Sequence, residues 1–119
     1  VTGRLASAPA RQVAALNDAL RAGLLAPSPL GRAFVSRGVA ALGAEAVLAL
    51  LRAVQAFDAF TPGNNPWQER DYGQLEFAGE AVLWKIDYYA SAACEAGSEN
   101  PADPAQSYRI LTIMLAHEY

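Results

Sequence analysis

The feature that most constrains this chain is the alternation over residues 81–89. Val82, Trp84, Ile86 and Tyr88 share one side, and Leu83, Lys85, Asp87 and Tyr89 the other. Successive strand side chains point to opposite faces, so this period of two predicts a sheet with one face packed and one partly wet. Tyr72 to Phe77 is a second segment of strand type. Between them Ala78-Gly79-Glu80 reads as a tight hairpin turn with glycine at the positive-φ position.

Helical patterns supply the cover. From Ser7, a capping residue, Val13, Leu16, Leu20 and Leu24 recur on one face, while Asn17, Asp18 and Arg21 fall away from it. Gly23, Pro27 and Pro29 close that element. A short strand is expected at Ala33–Ser36. Val47, Leu50, Leu51, Val54 and Phe57, widened by Leu48, make a second and broader stripe, ended by Pro62-Gly63. A third helix is expected to start at Asp103 with Pro104 in its first turn and Gln106 reaching back, burying Ile110, Leu111, Met114 and Leu115. The order α-β-α-β-β-α predicts an α+β fold: a small, mainly antiparallel three-stranded sheet with helices on one face.

The 119 residues suit a single domain, 1–119, large enough to bury a core without disulfides. Residues 1–8 read as a disordered or trimmed N-terminal segment, because the chain begins at Val1 rather than methionine. Cys94 is the sole cysteine, which fits a reduced, cytoplasmic setting, and no apolar run approaches the length of a membrane span. Charge is unevenly laid out. Residues 1–60 carry six arginines against Asp18, Glu45 and Asp58, while residues 61–119 carry Arg70, Lys85 and Arg109 against nine acids. The acidic half is the wrong sign for a nucleic-acid face, and the basic residues form no stripe with interleaved aromatics.

Residue types that could do chemistry are sparse. His117 is the only histidine, without the cluster a metal site needs, and Glu118 beside it points elsewhere if both lie on a helix. Cys94 lies next to Glu95, which disfavours a thiolate. The polar loop Thr61–Asp71 (TPGNNPWQERD) carries Trp67, Glu69 and Asp71, and loops on rigid scaffolds concentrate binding residues. It lacks the alternating carboxylates of a calcium loop, so no metal and no cofactor is expected. Its plain structural role is an ordered connection pinned by Trp67. Lys85 and Asp87 should share a strand face, with Glu76 across from them, as an exposed charge ladder. Read functionally, Trp67, Glu69, Asp71, Tyr72, Glu76, Asp87 and Tyr89 make an acidic, aromatic surface suited to a protein partner.

Four stretches, AALNDALR (14–21), VSRGVAALG (35–43), FDAFTPGNNPWQERDYG (57–73) and WKIDYYASA through LTIMLAHEY (84–119), resemble the bacterial domain-of-unknown-function family 3768. FDAFTP, WKIDYY and LTIMLAHEY carry the resemblance most specifically. Family members read closer to D-N-D-P-x-G-E-H-D-F-G in the loop. Here Gly63 and Asn65 replace acids, Gln68 replaces glycine and Arg70 replaces histidine, while Glu69, Asp71 and Gly73 match; Ala90 stands where an acid is common. The resemblance implies no activity and points to a plasmid or other mobile-element setting. The resulting expectation is a small non-enzymatic interaction module, with no catalytic residues, a protein partner and room for self-association. On a mobile element it would be an accessory protein or a host-defence (anti-CRISPR or anti-restriction) inhibitor. The alternative is a carboxylate-based or metal-dependent hydrolase using Glu69, Asp71 and Asp87, which would require those side chains to converge with His117 in a pocket.

Overall fold

A computed structural model describes residues 7–119; residues 1–6 of the expected N-terminal segment lie outside the described residues. Ser7 caps the first helix, α1 (Ala8–Ala22), accepting from the Ala10 N–H at 3.1 Å. Then come β1 (Gly31–Val35), a short helix α2 (Arg37–Ala40), α3 (Ala44–Ala56), β2 (Tyr72–Phe77), β3 (Glu80–Tyr89) and β4 (Tyr108–Leu115). A single 3-10 turn, Ala116–Glu118, follows β4. No helix among the described residues is long and apolar enough to cross a membrane.

The α+β class holds, with two corrections. The expected C-terminal helix is the strand β4, and the sheet has four strands in the order β1-β4-β3-β2. It is mixed rather than mainly antiparallel only at one seam: β1 runs parallel to β4, whereas β4 with β3 and β3 with β2 are antiparallel. The reason for the first error is physical. β4 lies between two neighbours and is buried along most of its length on both faces, so its apolar residues run on without alternation. Such a run also satisfies helical spacing, and periodicity alone cannot separate the two. The helix-start signature at Asp103 is turn chemistry instead: its carboxylate accepts from the Ala105 N–H at 2.8 Å and from the Gln106 side chain at 2.7 Å.

The hairpin forms as expected, around Ala78 (φ 52°) and Gly79 (φ 81°). Both central residues are left-handed, the twist that a two-residue hairpin connection requires. Register pairs Trp84 with Gly73 on one side and with Ile113 on the other. Val82, Trp84, Ile86, Leu111, Ile113 and Leu115 therefore share one face, and there they meet Leu20 of α1, Val39 of α2 and Leu50 and Val54 of α3. Gly73 is required in this layer, because a Cβ there would run into the Trp84 indole and come within 2.7 Å of the Phe57 ring. Phe57, Phe60 and Trp84 meet edge to face, with centroids 5.0–6.1 Å apart. On the opposite face, Arg32, Phe34, Tyr72, Glu76, Lys85, Asp87, Tyr89 and Tyr108 carry no helix. Met114 also lies on this side, not in the helix-covered core expected for it.

A buried polar network beside a candidate binding pocket

The helix-covered side of the sheet turns polar at one end. Arg109, the second residue of β4, pairs with Tyr88 of β3 and is fully buried. Its Nε donates to Asn17 Oδ1 at 2.6 Å, one terminal nitrogen to Ser107 Oγ at 3.0 Å and the other to the Pro101 carbonyl at 2.6 Å. The guanidinium also lies 5.1 Å from the centre of the Tyr88 ring. Asn17 is likewise fully buried, contrary to the expectation that it falls off the packed face of α1. Its Nδ2 donates to the Tyr88 hydroxyl at 2.8 Å and to the Glu69 carbonyl at 2.9 Å, and Tyr88 in turn donates to the Glu69 carboxylate at 3.2 Å. A buried cation is tolerated only when its donors are satisfied, and here one asparagine joins α1, β3, β4 and the Thr61–Asp71 loop to that purpose.

Arg21, also expected to be outward, is buried one turn along. It donates to the Val54 and Phe57 carbonyls at 2.9 and 2.8 Å, closing the C-terminal end of α3, and to Asp18 at 2.8 Å. Asp18 also receives Arg70 Nε at 2.9 Å, and Arg70 stacks over the Phe60 ring, 4.2 Å from its centre. The loop is thus held from both sides. Asn65 accepts from the Arg70 N–H, and Asn64 bonds Thr61 and the Ala59 carbonyl. Gln68 (φ 60°) and Arg70 (φ 57°) flank Glu69 in left-handed backbone, a conformation side chains disfavour.

Glu69 and Asp71 come together at this end. Burial first, and then the neighbouring Asp71 charge, push the Glu69 carboxyl above the usual range. Burial is also the main cause that raises Asp71, which lies near the Tyr88 hydroxyl and Asp87. Burial raises the Tyr88 phenol, which stays a donor, and lowers the Arg109 guanidinium against the pull of Glu69. Beyond the network, a pocket of about 360 Å³ opens between the first turns of α1, Trp67 and Glu69 of the loop, and residues Glu99–Ala102. Pro101, held by Arg109, is one wall.

The sequence-predicted residues therefore divide. Trp67 and Glu69 line the pocket, and Asp71 lies near Glu69 without lining it. Tyr72, Glu76, Asp87 and Tyr89 lie on the helix-free face, where the Asp87 carboxylate is held by Lys85. His117 lies beyond Leu115, which pairs with Val82, at the opposite end of β4 from Arg109. Among the described residues, no group of three or more His, Cys, Asp or Glu side chains is placed to hold a metal ion. Sequence reasoning missed Asn17, Tyr88, Ser107 and Arg109. One signal was present: Asn17 stands four residues after Val13 and three before Leu20, inside the apolar stripe rather than beside it. No curated protein and no solved structure matches the chain. A family model does, over residues 35–118, and the chain belongs to the family described as Protein of unknown function (DUF3768).

Proposed function

We propose that this protein is a small interaction module that takes a protein partner at the Trp67 pocket. The observation that carries the reading is the state of Trp67. It is 79% exposed, although the loop around it is bonded to α1 through Asn17 and Asp18 and to the sheet through Tyr88. A tryptophan that anchored the loop would be packed beneath it. One that is held out on a rigid loop offers a large contact area at low entropy cost, the usual property of an interface hot spot. The pocket beside it joins apolar walls (Pro9, Val13, Pro101, Ala102) to the carboxylates of Glu69 and Glu99. That lining suits a partner segment with a basic side chain next to an apolar one, the cation facing the indole and carboxylates. The mobile-element role, as accessory protein or host-defence inhibitor, rests on the family resemblance alone.

The test is capture of partners from the source cell with tagged wild type and Trp67→Ala, quantified by mass spectrometry. A protein enriched by the wild type and lost from the variant supports the reading. Equal capture by both removes Trp67 from it. The proximity of Asp71 to Glu69, which lines the pocket, with both raised by burial, favours a second reading, a carboxylate-based hydrolase. Asp87 is near enough to raise Asp71 but is held by Lys85 on the helix-free face, and His117 lies at the far end of β4. Turnover of an ester, phosphate or glycoside substrate that is abolished in Glu69→Gln would establish the second reading over the first.

A further inference from the structure

We infer that the outer edge of β1 is a self-pairing surface, and that its occupant is β1 of a second copy of this chain. Among the described residues, β1 has β4 as its only neighbour in the sheet. The Arg109 N–H donates to the Leu30 carbonyl and the Ser36 N–H to the Ile113 carbonyl, both at 2.9 Å. In a parallel ladder these bonds fix the parity: Arg32 and Phe34 turn their backbone groups to β4, and Gly31, Ala33 and Val35 turn theirs outward. Ser28 forms a bridge with Gly31, which leaves the N–H and C=O groups of Ala33 and Val35 on the open edge.

Edges of this kind are ordinarily blunted by charge, proline or a bulge. β1 carries only Arg32, no proline, and an uninterrupted register from Gly31 to Val35. It is also flanked by apolar surface. Phe34 is 48% exposed on the helix-free face. On the other side an apolar groove of about 620 Å³ runs beside the strand, with Leu24, Val47 and Leu51 in its walls.

The segment is complementary to itself. Antiparallel pairing about a twofold axis at Phe34 lets Ala33 exchange both hydrogen bonds with Val35 of the second copy, and Val35 with its Ala33. Those are the groups left open. The two Phe34 rings then meet in a close, non-hydrogen-bonded pair, the tightest cross-strand arrangement. Each ring keeps its own Arg32 guanidinium, 5.1 Å from the ring centre, away from the axis. Arg32 comes opposite Ser36 of the other copy, so like charges do not face each other. The isologous contact would join two four-stranded sheets into one.

Analytical ultracentrifugation of the full chain over a wide concentration range tests this. The wild type should approach twice the 12.6 kDa chain mass as concentration rises. Phe34→Glu sets two carboxylates on the axis. Val35→Pro removes an outward N–H without touching the β4 ladder, a placement edge strands tolerate. Each variant should weaken self-association at least tenfold while keeping the wild-type circular dichroism, and the Ala33 amide should lose protection from hydrogen exchange in Phe34→Glu. A wild type that sediments as one chain throughout overturns the inference, and so does a dimer that survives both substitutions.

Discussion

Replacing Asn17 with alanine tests the network most directly. The side chain makes two neutral hydrogen bonds, to the Glu69 carbonyl and the Tyr88 hydroxyl, and accepts a charged one from Arg109. A neutral bond contributes about 1 kcal/mol net and a bond to a charged group about 2 kcal/mol, so the loss comes to about 4 kcal/mol. For a chain of this size that corresponds to a fall in Tm on the order of 15 °C. Much of the loss arises because Arg109 Nε is left buried without an acceptor. Asn17→Leu should therefore be nearly as damaging as alanine, whereas the double variant Asn17→Leu with Arg109→Met should cost less than the two single changes added together, by about 2 kcal/mol. Urea unfolding followed by the fluorescence of buried Trp84 measures the wild type and the four variants. A loss below about 1 kcal/mol for Asn17→Ala, or additive single changes, would refute the view that Asn17 holds the buried arginine.

Other outcomes are equally checkable. Trp67→Ala should shift stability by less than about 0.5 kcal/mol, as expected at an exposed site, whereas Trp84→Ala should cost about 3–5 kcal/mol; comparable losses would place Trp67 under its loop. Leu111→Ala, in the helix-covered core, should cost about 2–5 kcal/mol, and Met114→Ala, on the helix-free face, should sit at or below the lower end of that range in urea titrations. Glu69 and Asp71 have raised folded values, so the folded chain holds their protons more tightly than the unfolded chain does. Their contribution is favourable below the ordinary carboxylate values and is lost as pH rises through the raised ones. Glu69→Gln with Asp71→Asn should flatten that decline in unfolding midpoints measured from acid to neutral pH. Glu118 has the opposite sign: Ser36 Oγ at 2.5 Å and the Leu115 and Gly38 N–H groups lower its value, so its contribution is present above the ordinary range and lost on acidification. Glu118→Gln should make acid unfolding less steep, and an unchanged acid limb would remove the carboxylate from that role.

The sequence by itself determined the local elements whose signals are local. The alternation over residues 81–89, the Ala78-Gly79 turn and the capped stripe of α1 need no tertiary information, because strand and helix periods and positive-φ preferences act within a few residues. Membership of the family was legible for the same reason, in the runs FDAFTP, WKIDYY and LTIMLAHEY. Only the tertiary structure decided what happens at β4. Its apolar run is compatible with a helix or a buried strand, and the strand is selected because β1 and β3 each offer a ladder of backbone partners and cover for both faces, which residues 108–115 do not contain. The same selection created the candidate site. Arg109 is a lone charge in an apolar segment until β4 sets it opposite Tyr88 and beneath Asn17, residues separated from it by 21 and 92 positions. Contacts that distant leave no periodic trace in the chain. They arise when the fold must satisfy a buried cation, and Pro101, whose carbonyl accepts from Arg109, is also a wall of the pocket beside Trp67.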